Sequence, residues 1–460
     1  MTSGAGRGLS DLLEAVRGLR EQQRYGEADA LLSDGVAKFP ADPALAFFHA
    51  QTRFELGRPA AALFERALML DPGSLQTKRN LALAQLAEGH RDAARGLLEA
   101  GLTERPDWLD GHKALATLNW TSGAQASFTD HLGRACRAQP DNPALWLAWF
   151  GNLAQARLWP EALATLDEAE RHLGNVPAIQ VSRLFVAVET GAPEAADLIA
   201  ATTGIRGDVT SLCRIRHALR QGDPGLAAAE ALPLTAGPSA ALYWPYLSLA
   251  WRLLGDARAE WLDQPERLIQ SFESGCSAAE LAKLADLLRT LHTSAQPYIE
   301  QSVRGGTQTD RSLLLRHEAP LQAIKARLVE LIRDYIAALP PHDPQHPLLS
   351  APRGGDLLIE GSWSVRLAQQ GYNVPHTHAR GWLSTAFYVA LPDQMGVSPA
   401  GHIAFGQAPI ELGLDLPAYR TIAPVGGRLA VFPSTMWHNT VPFDSGERLV
   451  IAFDVRRPAC

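Results

Sequence analysis

The chain is short of cysteine. Its four residues, Cys136, Cys213, Cys276 and Cys460, are scattered through 460 positions with no C-x-x-C pair, which argues against a disulfide framework and against a cysteine zinc site. No run of eighteen or more apolar residues occurs, and the start, MTSGAGRGLSDLLEAVRG, has no apolar stretch behind a basic one. A soluble, unexported, cytoplasmic protein without membrane contact is expected. Clusters of Lys and Arg are also missing, and the formal net charge is −7. The sequence thus lacks the basic face that neutralises a phosphate backbone, and nucleic acid is not an expected partner.

The length suggests two or three domains. The first two-thirds is rich in Ala and Leu at helical spacing, whereas the last hundred residues turn to Gly, Pro, Val and aromatics in alternation. The N-terminal part repeats. Pro40, Pro72, Pro106 and Pro140 follow one another at 32, 34 and 34 residues, and Gly57, Gly89 and Gly123 keep the same beat between a first apolar helix and a second. A period near 34 with two helices per unit resembles the tetratricopeptide repeat. One helical hairpin cannot bury its apolar stripe alone, glycine would let the two helices approach at the turn, and proline closes each unit. The beat is clear over residues 10–173 and helical patterns run to 257, so residues 1–257 read as an all-α solenoid whose concave surface suits a protein or peptide partner. Residues 258–350 read as a helical connector that packs on the C-terminal domain.

Residues 351–460 are strand-like. In WLSTAFYVAL, Leu383, Thr385, Phe387 and Val389 share one face, with Trp382, Ser384, Ala386 and Tyr388 on the other. In RLVIAFDV, Leu449, Ile451, Phe453 and Val455 oppose Arg448, Val450, Ala452 and Asp454. One bulky face and one face of small residues with a polar anchor are what strands around a roomy barrel need. His376 and His378 stand in NVPHTHARGW just before the first of these strands. His438 lies in GRLAVFPSTMWHNTVPF, and Arg448 follows it by ten residues. Two imidazoles one residue apart in extended chain point to the same side, and a third from another strand can complete a metal site. Trp382 and Trp437 read as packing at the barrel rim, and Gly305-Gly306 in SVRGGTQTD reads as a turn in the barrel wall.

This ordered set, together with GWLSTAFYVALP and WHNTVPF, resembles the Fe(II)- and 2-oxoglutarate-dependent oxygenases. It is most similar to those in which a double-stranded β-helix, or jelly roll, follows tetratricopeptide repeats. The resemblance implies a multidomain α+β chain and a dioxygenase that couples decarboxylation of 2-oxoglutarate by O2 to hydroxylation of a protein or peptide side chain. On it, His376 matches the first metal histidine and His438 the distal one. Arg448 matches the cation that takes the far carboxylate of 2-oxoglutarate. Tyr388 falls where some prolyl-hydroxylase-like relatives place a hydroxyl on that carboxylate, with Ser384 one step along the same face. No further catalytic residue is implied. Where most such enzymes have two histidines and a carboxylate, this chain has His378, and no Asp or Glu occurs between Gly361 and Pro392. His378 is then either a third neutral ligand or a residue standing behind the other two. Two other readings stay open: a repeat adaptor with an inactive barrel, and a three-histidine, cupin-like enzyme that does not use 2-oxoglutarate. Oligomeric state is not legible.

Overall fold

The computed structural model describes residues 3–458, so Cys460 lies outside the described residues. The chain forms two compact units, one of residues 1–152 with 311–323, the other of residues 153–310 with 324–460.

The first unit is a run of antiparallel helical hairpins, including Pro43–Glu55 with Ala61–Leu70, Leu75–Ala87 with Arg91–Glu104, and Leu109–Thr121 with Asp130–Ala138. Helix starts are written locally. Asp42 accepts a hydrogen bond from the Leu45 N–H at 2.8 Å, and Ser74 caps Leu75–Ala87 in the same way. Each hairpin buries its stripe against the next: Ala50 and Phe64 of one share a core with Leu81 and Ala84 of the following one.

The glycine beat is real, but its cause is not the expected one. At Gly89 and Gly123 a Cβ would meet nothing within 4 Å, and φ is +86° and +89°. Glycine is there to turn the chain through the left-handed region, not to let helices touch. The same turn recurs one step to either side, at Gln23 (φ +59°) and Arg157 (φ +58°), where a side chain is tolerated at a cost of about 1 kcal/mol.

The second unit carries further helices, among them Trp159–Leu173, Pro177–Thr190, Asp208–Arg220 and Trp244–Leu254, and two antiparallel sheets. The strands are β1 (Gln270–Glu273), β2 (Val303–Gln308), β3 (Ile359–Asn373), β4 (Leu383–Ala390), β5 (Ile403–Phe405), β6 (Arg420–Ile422), β7 (Arg428–Pro433), β8 (His438–Thr440) and β9 (Arg448–Val455). Six form one sheet in the order β1-β7-β4-β9-β3-β2, and three form the other in the order β6-β5-β8. This is the double-stranded β-helix. Strand β9 lies between β3 and β4, with Val455 opposite both Ile359 and Leu383.

Two strands come from the stretch read as a helical connector. β1 has only four residues, too few to show alternation. β2 contains Gly305 and Gly306, so the expected turn is instead an edge strand with a bulge between Arg304 and Gly306. A Cβ on Gly306 would collide with the Arg366 carbonyl oxygen of β3. Trp382 and Trp437 are buried, their indole N–H groups donating to Leu348 O at 3.0 Å and Pro245 O at 2.9 Å. No described helix is long and apolar enough to cross a membrane.

One buried carboxyl makes this unit sensitive to pH. Asp263 is 5% exposed and accepts from the Ser248 hydroxyl at 2.7 Å, and burial pushes its carboxyl up to about 6. The folded chain therefore holds this proton to higher pH than the unfolded chain, and stability falls as pH rises from about 4 through 6. Asp263→Asn keeps an acceptor for Ser248 and removes the charge. It is expected to be stabilised at pH 7.5 by roughly 2–3 kcal/mol relative to its effect at pH 4, as read by urea unfolding at the two pH values.

Candidate metal centre and its cavity

The three histidines are brought together by backbone pairing between distant segments. His376 and His438 form an antiparallel bridge, each N–H donating to the other's carbonyl at 3.0 Å. The His378 N–H donates to Ser434 O at 2.9 Å. Paired residues in such a bridge set their side chains on one side of the sheet. The imidazole centroids of His376 and His438 are accordingly 4.2 Å apart, and His378 lies 5.1 Å and 5.0 Å from them.

Each ring is oriented from behind. Nδ1 of His376 meets Val374 O at 2.7 Å and Nδ1 of His438 meets Met436 O at 3.0 Å. A carbonyl only accepts, so these Nδ1 atoms carry the protons and Nε2 is left with its lone pair. Nδ1 of His378 meets a carboxylate instead, Asp454 Oδ1, at 2.7 Å. That oxygen also accepts from the Ser384 hydroxyl at 2.6 Å, and Ser384 lies 2.9 Å from Ser434 Oγ. The ligand atoms offered by the three rings all lie within 4.8 Å of one another. Burial first, then the neighbouring rings, hold His438 well below its ordinary value and bring His376 down to about 3. Both are thus neutral imidazoles at physiological pH, the form a metal ligand requires. Three imidazoles backed by two carbonyls and a carboxylate fit a divalent first-row metal.

The histidines open into a cavity of about 790 Å³, within the size range of small-molecule sites. Along β9 it is lined by Arg448, Val450, Ala452 and Asp454, every second residue. Arg448 is 3% exposed and is paired with no carboxylate among the described residues. Its Nε has no hydrogen-bond partner, and its guanidinium carbon stands 5.0 Å from the centre of the Tyr388 ring. The Tyr388 hydroxyl is also buried without a partner, and burial raises its pKa. An unpaired buried cation costs several kcal/mol, a cost that an anion in the cavity would offset. The orphaned atoms fit the far carboxylate of 2-oxoglutarate. The chain places Ser384 elsewhere, its hydroxyl committed to Asp454 behind the His378 ring.

Residues 361–454 match the family described as "Putative 2OG-Fe(II) oxygenase", and residues 60–118 match a tetratricopeptide repeat. The C-terminal segment is thus similar to 2OG-Fe(II) oxygenases over 94 residues, and an N-terminal segment is similar to tetratricopeptide repeats over 59. Among solved structures, the domain is similar to a viral collagen prolyl hydroxylase from Paramecium Bursaria Chlorella virus-1 in complex with 2OG. That match has 15% identity over 42% of this chain and 97% of the other, with a TM-score of 0.28. HygX from Streptomyces hygroscopicus, bound to nickel, 2-oxoglutarate and hygromycin B, matches at 13% identity over 42% of this chain and 84% of its own, with a TM-score of 0.30. A tetratricopeptide repeat protein from Parabacteroides merdae matches at 13% identity over 54% and 98%, with a TM-score of 0.34. No curated protein matches the chain. The description of the matched family names Fe(II) and 2OG, and the three imidazoles and the buried Arg448 are the donor set and the cation that such a pair would need. Sequence reasoning missed Asp454 as the partner of His378; the signal was a lone carboxylate on the small-residue face of β9.

Proposed function

We propose that the chain hydroxylates a protein or peptide side chain in a reaction dependent on Fe(II) and 2-oxoglutarate. Residues 1–257 are assigned to recruiting the partner, 258–350 to bracing the barrel, and 351–460 to the chemistry. His376, His378 and His438 hold the metal through Nε2, and Arg448 takes the far carboxylate of the co-substrate in a bidentate fork with the Tyr388 hydroxyl beside it. The observation that carries this reading is the buried, carboxylate-free Arg448 on the same cavity wall as three mutually facing imidazoles.

When bound, iron and 2-oxoglutarate supply the oxidative chemistry that ends in succinate, CO2 and a hydroxylated product. The protein orients the three rings, anchors the co-substrate at its far end and keeps bulk water from the reacting C–H bond. A cupin-like reaction without 2-oxoglutarate would leave Arg448 with no anion, and an inactive adaptor would have no use for three oriented Nε2 atoms.

The test is anaerobic addition of Fe(II) and 2-oxoglutarate, watching for the metal-to-ligand charge-transfer band of the chelate. A band is expected in the wild type, together with a loss of iron affinity in His378→Ala. Unchanged iron affinity in that variant would place His378 behind the other two histidines, and absence of both band and tight iron would leave the repeat adaptor.

A further inference from the structure

Four arginines line the cavity: Arg157, Arg304, Arg380 and Arg448. Arg380 pairs with Glu360 at 3.0 Å and Arg157 with Glu411. Arg304, like Arg448, is paired with no carboxylate among the described residues. It is half-buried, and its Nη1 donates only to the carbonyls of Gln301 at 3.0 Å and Val303 at 2.8 Å. Carbonyl dipoles position a guanidinium but do not neutralise it. Arg157 is close enough to repel it, and burial together with that repulsion lowers the Arg304 pKa.

Both arginines occupy positions that local structure does not favour. Arg304 sits at the bulge in β2, which re-aims its side chain out of the regular ladder. Arg157 stands at φ +58°, in the turn where Gly57, Gly89 and Gly123 stand in the preceding hairpins. A strained non-glycine at a cavity wall points to a use for its side chain. Glu411 answers Arg157, which leaves Arg304 without an ion pair among the described residues on a wall that also carries Glu300.

We propose that Arg304 and Arg157 form an anion subsite for the acceptor, and that the substrate is a peptide segment bearing an Asp or Glu side chain near the residue that reacts. This rests on the oxygenase reading above and adds the class of peptide. The pairing is partly exposed, so the selectivity it gives is electrostatic and weakens with salt.

The test uses three degenerate peptide libraries that differ only in carrying Glu, Gln or Lys at the variable charged positions. Each is given to the full chain with Fe(II), 2-oxoglutarate and air, and succinate is compared with each variant's own peptide-free rate. Retention of each library by the metal-free chain is measured alongside. The Glu library is expected to exceed the Lys library by about tenfold in both readouts, the effect of about 1.4 kcal/mol. Arg304→Glu should reverse the order. Arg157→Gly relieves the turn, so a loss of selectivity in that variant with no loss of thermal stability separates recognition from folding. Equal responses to the three libraries, a response to none, or an order unchanged in Arg304→Glu would overturn the subsite while peptide-free succinate leaves the oxygenase standing. Absence of succinate under every condition would overturn both.

Discussion

Arg448→Met is expected to lose 2-oxoglutarate and gain stability at the same time. Removing one partner of a buried, hydrogen-bonded charge pair costs about 2–5 kcal/mol of binding, which is roughly 30-fold to several thousand-fold in the dissociation constant. Without ligand the same residue is a liability. It is 3% exposed, its Nε has no partner, and burial alone lowers its pKa. Methionine keeps much of the length of the side chain and discards the buried charge, so the ligand-free variant should unfold at a denaturant concentration equal to or above the wild type's. Isothermal titration with 2-oxoglutarate and urea unfolding of the ligand-free chain measure the two halves. A variant that binds 2-oxoglutarate normally, or that is clearly destabilised without it, would show that Arg448 serves the fold and not the co-substrate.

Asp454→Asn should weaken metal binding by about 10- to 100-fold, the usual cost of removing the group behind a ligating histidine. Asp454 meets the three-histidine cluster only through a ring, its Oδ1 lying 2.7 Å from His378 Nδ1. Asparagine keeps the size but offers a neutral amide to the ring and to the Ser384 hydroxyl. The stronger expectation concerns the pair. His378→Asp alone brings two carboxylates together at one spot, and like charges in contact resist joint ionisation. His378→Asp combined with Asp454→Asn removes that conflict and should bind Fe(II) or Co(II) more tightly than His378→Asp alone. Additive losses in the double variant, followed by metal titration, would mean that Asp454 does not act through position 378.

The order His376, His378, His438, Arg448 was visible in the sequence because extended chain writes its geometry into odd and even positions. Arg448, Val450, Ala452 and Asp454 read as one face of a strand, and that face lines the cavity. The hairpin beat was visible because its turns carry glycine. What sequence reasoning missed depends on register between segments far apart in the chain. That Asp454 meets His378 follows from how β9 lies against β4 and how residues 376–378 bridge to 434–438, and no local pattern encodes that meeting. β1 and β2 were hidden by shortness and by two glycines. Arg157 was hidden because only its backbone, not its residue type, continues the repeat.

Both ends of the site hang on one strand. β9 is hydrogen-bonded on both sides, to β3 and β4, and carries on one face both Arg448, the proposed co-substrate anchor, and Asp454, the carboxylate behind His378. Side chains alternate with a period of two, so a frame slip of one residue would exchange that whole set for Leu449, Ile451, Phe453 and Val455. The barrel would keep its strands and trade its two charges for four hydrocarbons. An insertion or deletion of one residue inside β9 is thus far more damaging than one in the loop of residues 441–447 before it, where the added or lost length need not shift the strand's pairing.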